Sequence, residues 1–137
     1  MKSEKEMEDE FGDGSSTHNN FDTKENMVWW DYKYATYTDN GGKRSSAISL
    51  VHEFDHAVDY HKNPIEQEKR ASIFDSQYEN LEERRVITGS EKETALILGQ
   101  AIRLNHKLGW HGVEGFLSQN PLSVSPLFTY PPKVISK

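Results

Sequence analysis

Three observations predict an α+β domain. A run of aromatic and β-branched residues, "MVWWDYKYATYT", alternates with period two. A two-faced helical stretch follows it, starting near Ser46 and reaching about Tyr60. Two more helical stretches lie downstream, near 78–88 and 90–106. At 137 residues the chain suffices for one domain and leaves no room for two.

The first 26 residues are polar and acidic and cannot bury enough apolar area to order themselves, so 1–26 is expected to be a flexible lead-in. Val28, Trp30, Tyr32 and Tyr34 share one side of the period-two pattern, which reads as one strand or two short strands broken near Asp31. The turn residues of "DNGG" close it. Ser45 or Ser46 can cap the first helix, which Asn63-Pro64 ends. A polar connection leads to "YENLEERRVIT"; Gly89 breaks that stretch, and Ser90 with Glu93 forms a capping box for a third helix reaching about His106. Residues 117–137 hold four of the five prolines and read as an extended tail, leaving 27–116 as the working domain.

Hydrophobic residues make up 34% of the chain, so the core must be modest. No stretch approaches the ~20 apolar residues of a membrane span, and the start lacks the apolar run of an ordinary secretory signal. Export is therefore expected to need a specialised system or a larger parent polypeptide; otherwise the chain stays in the cytoplasm. The net charge of -6, with no basic patch longer than "EERR", argues against a nucleic-acid partner. With no cysteine, disulfides, zinc fingers and thiol catalysis are excluded, and any metal must be held by His, Asp and Glu.

The first helix carries "SLVHEFDHAVDY". Stepping 100° per residue from His52, the residues Ala47, Leu50, Val51, Phe54, Ala57 and Val58 fall at roughly 140° to 260°, while Ser49, His52, Glu53, His56 and Tyr60 fall at roughly 0° to 100°. Histidines at i and i+4 stand one above the other, so His52 and His56 can reach one tetrahedral zinc ion. Glu53 is offset beside the open coordination position, where it can act as general base on a zinc-activated water. A shuffled chain of this composition would carry the pattern about 0.03 times, and the two-faced helix around it strengthens the signal. The competing reading is an exposed helix face with two surface histidines.

A catalytic zinc needs a third protein ligand. The long form of the motif would place Gly at 59 and His at 62, but Asp59 and Lys62 stand there. Asp59 can instead hydrogen-bond a ligand ring from behind. Glu79, Glu82 and Glu83 are the ligand candidates, with Glu83 first because Val86 and Ile87 bracket it on the helix, then Glu79, then Glu82. Arg103 and His106 can each donate to the oxyanion of a tetrahedral intermediate, or simply favour a helix C-terminus.

"DNGGKRSSAISLVHEFDHAVDY" and "NLEERRVITGSEKETALILGQAIRLNHKLG" together resemble a zinc metallopeptidase family of bacterial effectors and toxins, which includes type III secretion effectors and the C-terminal toxin domains of RHS-repeat proteins. The likeness covers about residues 27 to 109. It implies a zincin-like fold, one catalytic zinc per chain and cleavage of a protein or peptide substrate. By position it implies His52 and His56 as ligands, Glu53 as base and Glu83 as the downstream ligand. Ser46 stands where the family pattern has proline, and Asp55 adds a negative charge near the site. Such a toxin can also meet an immunity protein. Two rival expectations are a catalytically inactive, peptidase-derived metal- or protein-binding module, and an interaction protein that binds no metal.

Overall fold

The computed structural model describes residues 19–112 and residue 122. The architecture is α+β: small antiparallel sheets set around a group of helices. The strands are β1 (Asn20–Asp22), β2 (Met27–Trp29), β3 (Tyr34–Tyr37), β4 (Lys43–Arg44), β5 (Phe74–Asp75), β6 (Glu79–Asn80) and β7 (Gly109–Gly112). The helices are α1 (Ser46–Lys62), α2 (Pro64–Ala71), α3 (Leu81–Val86) and α4 (Lys92–Leu98), the last two joined by a wide π-type turn, Ile87–Glu91. No helix among the described residues is long and apolar enough to cross a membrane.

The aromatic run divides as two short strands rather than one. β2 pairs with β1, Phe21 opposite Val28, and β3 pairs with both β4 and β7 to give the order β4-β3-β7. So the end of the expected lead-in is a strand: Asp22 Oδ1 accepts from the backbone N–H groups of Lys24 (2.9 Å) and Glu25 (3.2 Å), building the turn that returns the chain to β2. Residues 1–18 and the expected tail 117–137, Leu122 apart, lie outside the described residues. At the β3–β4 turn Gly41 takes a φ of 87°, the left-handed conformation that glycine adopts without steric cost.

Three helical expectations change. The polar connection after Asn63 contains α2, started by Pro64 at its first position, where a missing N–H costs nothing. Ser90 does not cap a helix, since its hydroxyl donates to Asp55. And α4 stops at Leu98, not near His106, because Gly99 adopts a left-handed φ of 66° that terminates the helix.

The interior is unusually polar. Its fully enclosed apolar side chains are few, among them Ile48, Val86, Ile87 and Ala95, while Arg44, His52, His56, Glu82, Glu91 and Arg103 are buried beside them. α1 accordingly turns its histidine face inward. Its apolar face is covered only in part: Phe54 and Val58 are each 51% exposed, while Ala47, Leu50, Val51 and Ala57 are half-buried.

Candidate metal centre

α1 delivers His52 and His56 one turn apart, and α3 delivers Glu83 across from them. Their donor atoms converge. The two Nε2 atoms are 3.0 Å apart; Glu83 Oε2 lies 3.0 Å from His52 Nε2, and Oε1 lies 3.2 Å from His56 Nε2. One donor atom each from His52, Glu53 and His56 also lies within 4.8 Å of the others. Four residues thus offer lone pairs to one small volume.

The outer nitrogens explain why those lone pairs point there. His52 Nδ1 is 2.6 Å from Glu91 Oε2, and His56 Nδ1 is 2.8 Å from Glu82 Oε2. A carboxylate only accepts, so each Nδ1 carries a hydrogen, and each Nε2 can present a lone pair once its ring is neutral. Two such nitrogens at 3.0 Å repel unless a proton or a metal cation lies between them. Glu83 is enclosed against the same two nitrogens, so its charge there is met either by imidazole hydrogens or by a cation in their place. Tetrahedral zinc at ~2.0–2.1 Å from its ligands spaces them roughly 3.3 Å apart, close to the separations here. The donor set fits zinc.

Each outer carboxylate is itself braced by two arginines. Glu91 receives Arg103 on both oxygens, Nε at 2.7 Å and Nη2 at 3.1 Å, and also Arg44. Glu82 receives Arg70 Nε at 2.8 Å and Arg85 through Nε at 3.0 Å and Nη2 at 2.8 Å. Beyond these, Asp59 accepts from Arg70, and Asp55 accepts from Arg85 Nη1 at 2.8 Å and from Ser90. Asp59 therefore holds an arginine, not a ligand ring as the sequence suggested, and the charge of Asp55 is spent on Arg85.

The turn at 87–91 makes this possible. On an unbroken helix Glu91 would sit roughly 80° round from Glu83, eight steps of 100°. The chain instead breaks its helical conformation at Gly89 (φ -102°, ψ -109°), and beyond that kink Glu91 stands where its carboxylate meets His52 Nδ1.

Electrostatics follow from this wiring. Burial alone would lower the His56 pKa, but hydrogen bonds and charge from Glu82 and Glu83 outweigh it and raise it to about 10. Burial would raise Glu82, but His56, Arg85 and Arg70 pull it down to about 2. Glu91 and Glu83 also lie well below the ordinary range: burial opposes this, and in Glu91 the charges of Arg103 and Arg44 win, in Glu83 the hydrogen bonds of His52 and His56. Glu53 goes the other way. Burial raises its pKa, with His52 and His56 pulling back, and no arginine neutralises it. A carboxylate so placed is a better proton acceptor than a solvated one.

The cavity over these groups holds about 780 Å³ and is lined by Phe21, Trp29, Glu53, Glu79, His106 and Trp110 among others. His106 faces it, with Nε2 3.3 Å from Glu79 Oε2 and 3.6 Å from Glu83 Oε2. Arg103 also lines the cavity, but it is buried and its guanidinium is engaged: Nε and Nη2 donate to Glu91, and Nη1 donates to the His106 carbonyl at 3.1 Å. Of the three glutamates weighed as third ligand, Glu83 stands among the donors, Glu82 stands behind His56 and Glu79 stands at the rim. Sequence reasoning did not find Glu91, Arg44, Arg70 or Arg85. Comparison with protein-family models, curated proteins and solved structures finds no match.

Proposed function

We propose that this chain is a zinc-dependent peptidase domain with a zincin-like arrangement, related to the bacterial effector and toxin metallopeptidases that its sequence resembles. One observation carries the reading: three lone-pair donors from His52, His56 and Glu83 meet within 3.0–3.2 Å, with a fourth carboxylate, Glu53, beside them. His52, His56 and Glu83 would hold the metal. Bound there, zinc supplies Lewis acidity toward a scissile carbonyl and toward water.

The residues around it divide the remaining work. Glu53, free of arginine and raised by burial, takes a proton from the attacking water and returns it to the leaving amine. Glu82 and Glu91 fix the rotation and hydrogen placement of the two imidazoles, so the donors are in position before substrate arrives. A cavity of 780 Å³ has room for several residues of an extended peptide.

Elemental analysis on protein purified without chelator tests this, on wild type, Glu83→Ala, Glu79→Ala and Glu53→Gln, alongside cleavage of an unfolded protein such as reduced casein. The expected result is about one zinc in wild type, Glu79→Ala and Glu53→Gln, none in Glu83→Ala, and cleavage that Glu53→Gln abolishes. Zinc without cleavage of any protein offered would favour the inactive binding module. No zinc after supplementation would remove the peptidase reading.

A further inference from the structure

The braces behind the two histidines are not alike. Behind His56, two arginines, Arg70 and Arg85, meet three carboxylates, Glu82, Asp59 and Asp55. Behind His52, two arginines, Arg44 and Arg103, meet one carboxylate, Glu91. Arg103 is fully used: Nε and Nη2 donate to Glu91, and Nη1 donates to the His106 carbonyl. Arg44 is not. Its Nη2 donates to Glu91, while Nε and Nη1 meet no acceptor among the described residues, although the side chain is only 2% exposed.

The sheet sets where this arginine points. In β4 the side chains alternate, with Lys43 exposed and Arg44 buried. Arg44 stands opposite Thr36 on β3, and Thr36 stands opposite Trp110 on β7. Opposed residues share a face, so these residues form one row on one side of the sheet. Both ends of the row, Arg44 and Trp110, line the cavity that Ser49, His52 and Glu53 of α1 also line. A positive charge without a carboxylate of its own therefore borders the space over the metal centre.

Burying a guanidinium costs free energy unless its N–H groups are met. Burial accordingly lowers the Arg44 pKa, with Glu91 pulling it back and Arg103 adding to the fall. An anion reaching Arg44 from the cavity supplies what Asp55 and Asp59 supply on the other side. The anion that an unmodified peptide brings is a carboxylate, whose two oxygens can accept from one guanidinium together. We propose that Arg44 is a substrate-recognition residue that binds a carboxylate of the peptide, either an Asp or Glu side chain or the C-terminal group. This rests on the peptidase reading above for the peptide, but not for the anion site itself.

The test is binding calorimetry on Glu53→Gln protein supplied with zinc, so that no probe is cleaved. The probes are acetyl-Ala-Leu-Glu-amide, acetyl-Ala-Leu-Gln with a free C-terminus, and acetyl-Ala-Leu-Gln-amide, which has no carboxylate. One of the two carboxylate peptides should bind about 10–100-fold tighter than the third, and which one does so names the source. Arg44→Met on the same background should bring all three level. Its zinc content should not change, because Arg103 alone grips both Glu91 oxygens, and it should melt no lower, because an unmatched buried charge is gone. Equal binding of the three peptides overturns the proposal, as does a preference that survives Arg44→Met, which would place the carboxylate on the zinc alone. Loss of zinc or of melting temperature in Arg44→Met also overturns it and makes Arg44 a brace for Glu91. An Arg44-dependent preference in a protein whose wild type cleaves nothing would remove the peptidase reading and leave the anion site standing.

Discussion

His52 and His56 turn their Nε2 atoms toward each other at 3.0 Å, while their Nδ1 atoms are bound to two different buried glutamates, Glu91 and Glu82. That relationship fixes the rotation of both rings and aims their Nε2 atoms at one point. It makes the outer glutamates as important to the centre as the ligands.

Truncating them should therefore be costly. Glu91→Ala leaves the buried Arg44 and Arg103 without their shared carboxylate, and thermal or denaturant unfolding should report a loss of about 3–5 kcal/mol. Glu82→Ala should cost less, because Arg70 and Arg85 are partly exposed and keep Asp59 and Asp55. Both should weaken zinc about 10–100-fold in a competition titration against a chromophoric chelator.

In metal-free protein the stabilising contributions of Glu82 and His56 should both be full between about pH 4.5 and 6.5. Glu82 is ionised more readily folded, at about 2, than its ordinary 4.5, so its contribution is full above 4.5 and lost as pH falls through about 2. His56 is protonated more readily folded, at about 10, than its ordinary 6.5, so its contribution is full below 6.5 and lost as pH rises through about 10. Urea unfolding at a series of pH values should show both arms. With zinc bound, the alkaline arm should shrink, because the metal needs the imidazoles without that proton.

Gly42→Ala should destabilise the β3–β4 turn. The added Cβ would stand 2.5 Å from the Ala101 Cβ, which has no rotamer by which to retreat, and 3.0 Å from Thr38 Oγ1. A loss of about 1–3 kcal/mol is expected in denaturant unfolding.

Phe54→Gln and Val58→Gln should change stability by no more than about 0.5 kcal/mol, because both side chains are half exposed on the outer face of α1. They should also raise the concentration at which the protein stays monomeric in light scattering, as less apolar surface is exposed. A loss of several kcal/mol would mean that this face is a core after all.

The two strands of the aromatic run, the turn after them, α1 and the His-Glu-His group were legible because local rules govern them: period-two alternation, glycine at a left-handed position, and i,i+4 stacking; β1, β4, β5, β6 and β7, each two to four residues long, were not. Glu83 was legible for a related reason, since Val86 and Ile87 beside it are enclosed and draw it inward. The burial of α1 was not. Helical periodicity assumes that the apolar face goes inside, whereas here a network of arginines and glutamates drawn from α2, α3, β4 and residues 91 and 103 captures the histidine face instead. Those partners lie as far away as the 47 residues from Arg44 to Glu91, and no local pattern links them. The premature end of α4 at Gly99 was readable in principle, because a glycine late in a helix is a common stop.

The turn at 87–91 sets the phase between two stretches of helix. Seen so, length is as much a part of the site as residue type. Removing one residue such as Thr88 would leave every ligand and brace in the chain, yet shift the kink relative to Glu91 and take its carboxylate from His52, Arg44 and Arg103. Relatives of this chain should therefore tolerate changes of side chain along this turn far better than changes in its number of residues.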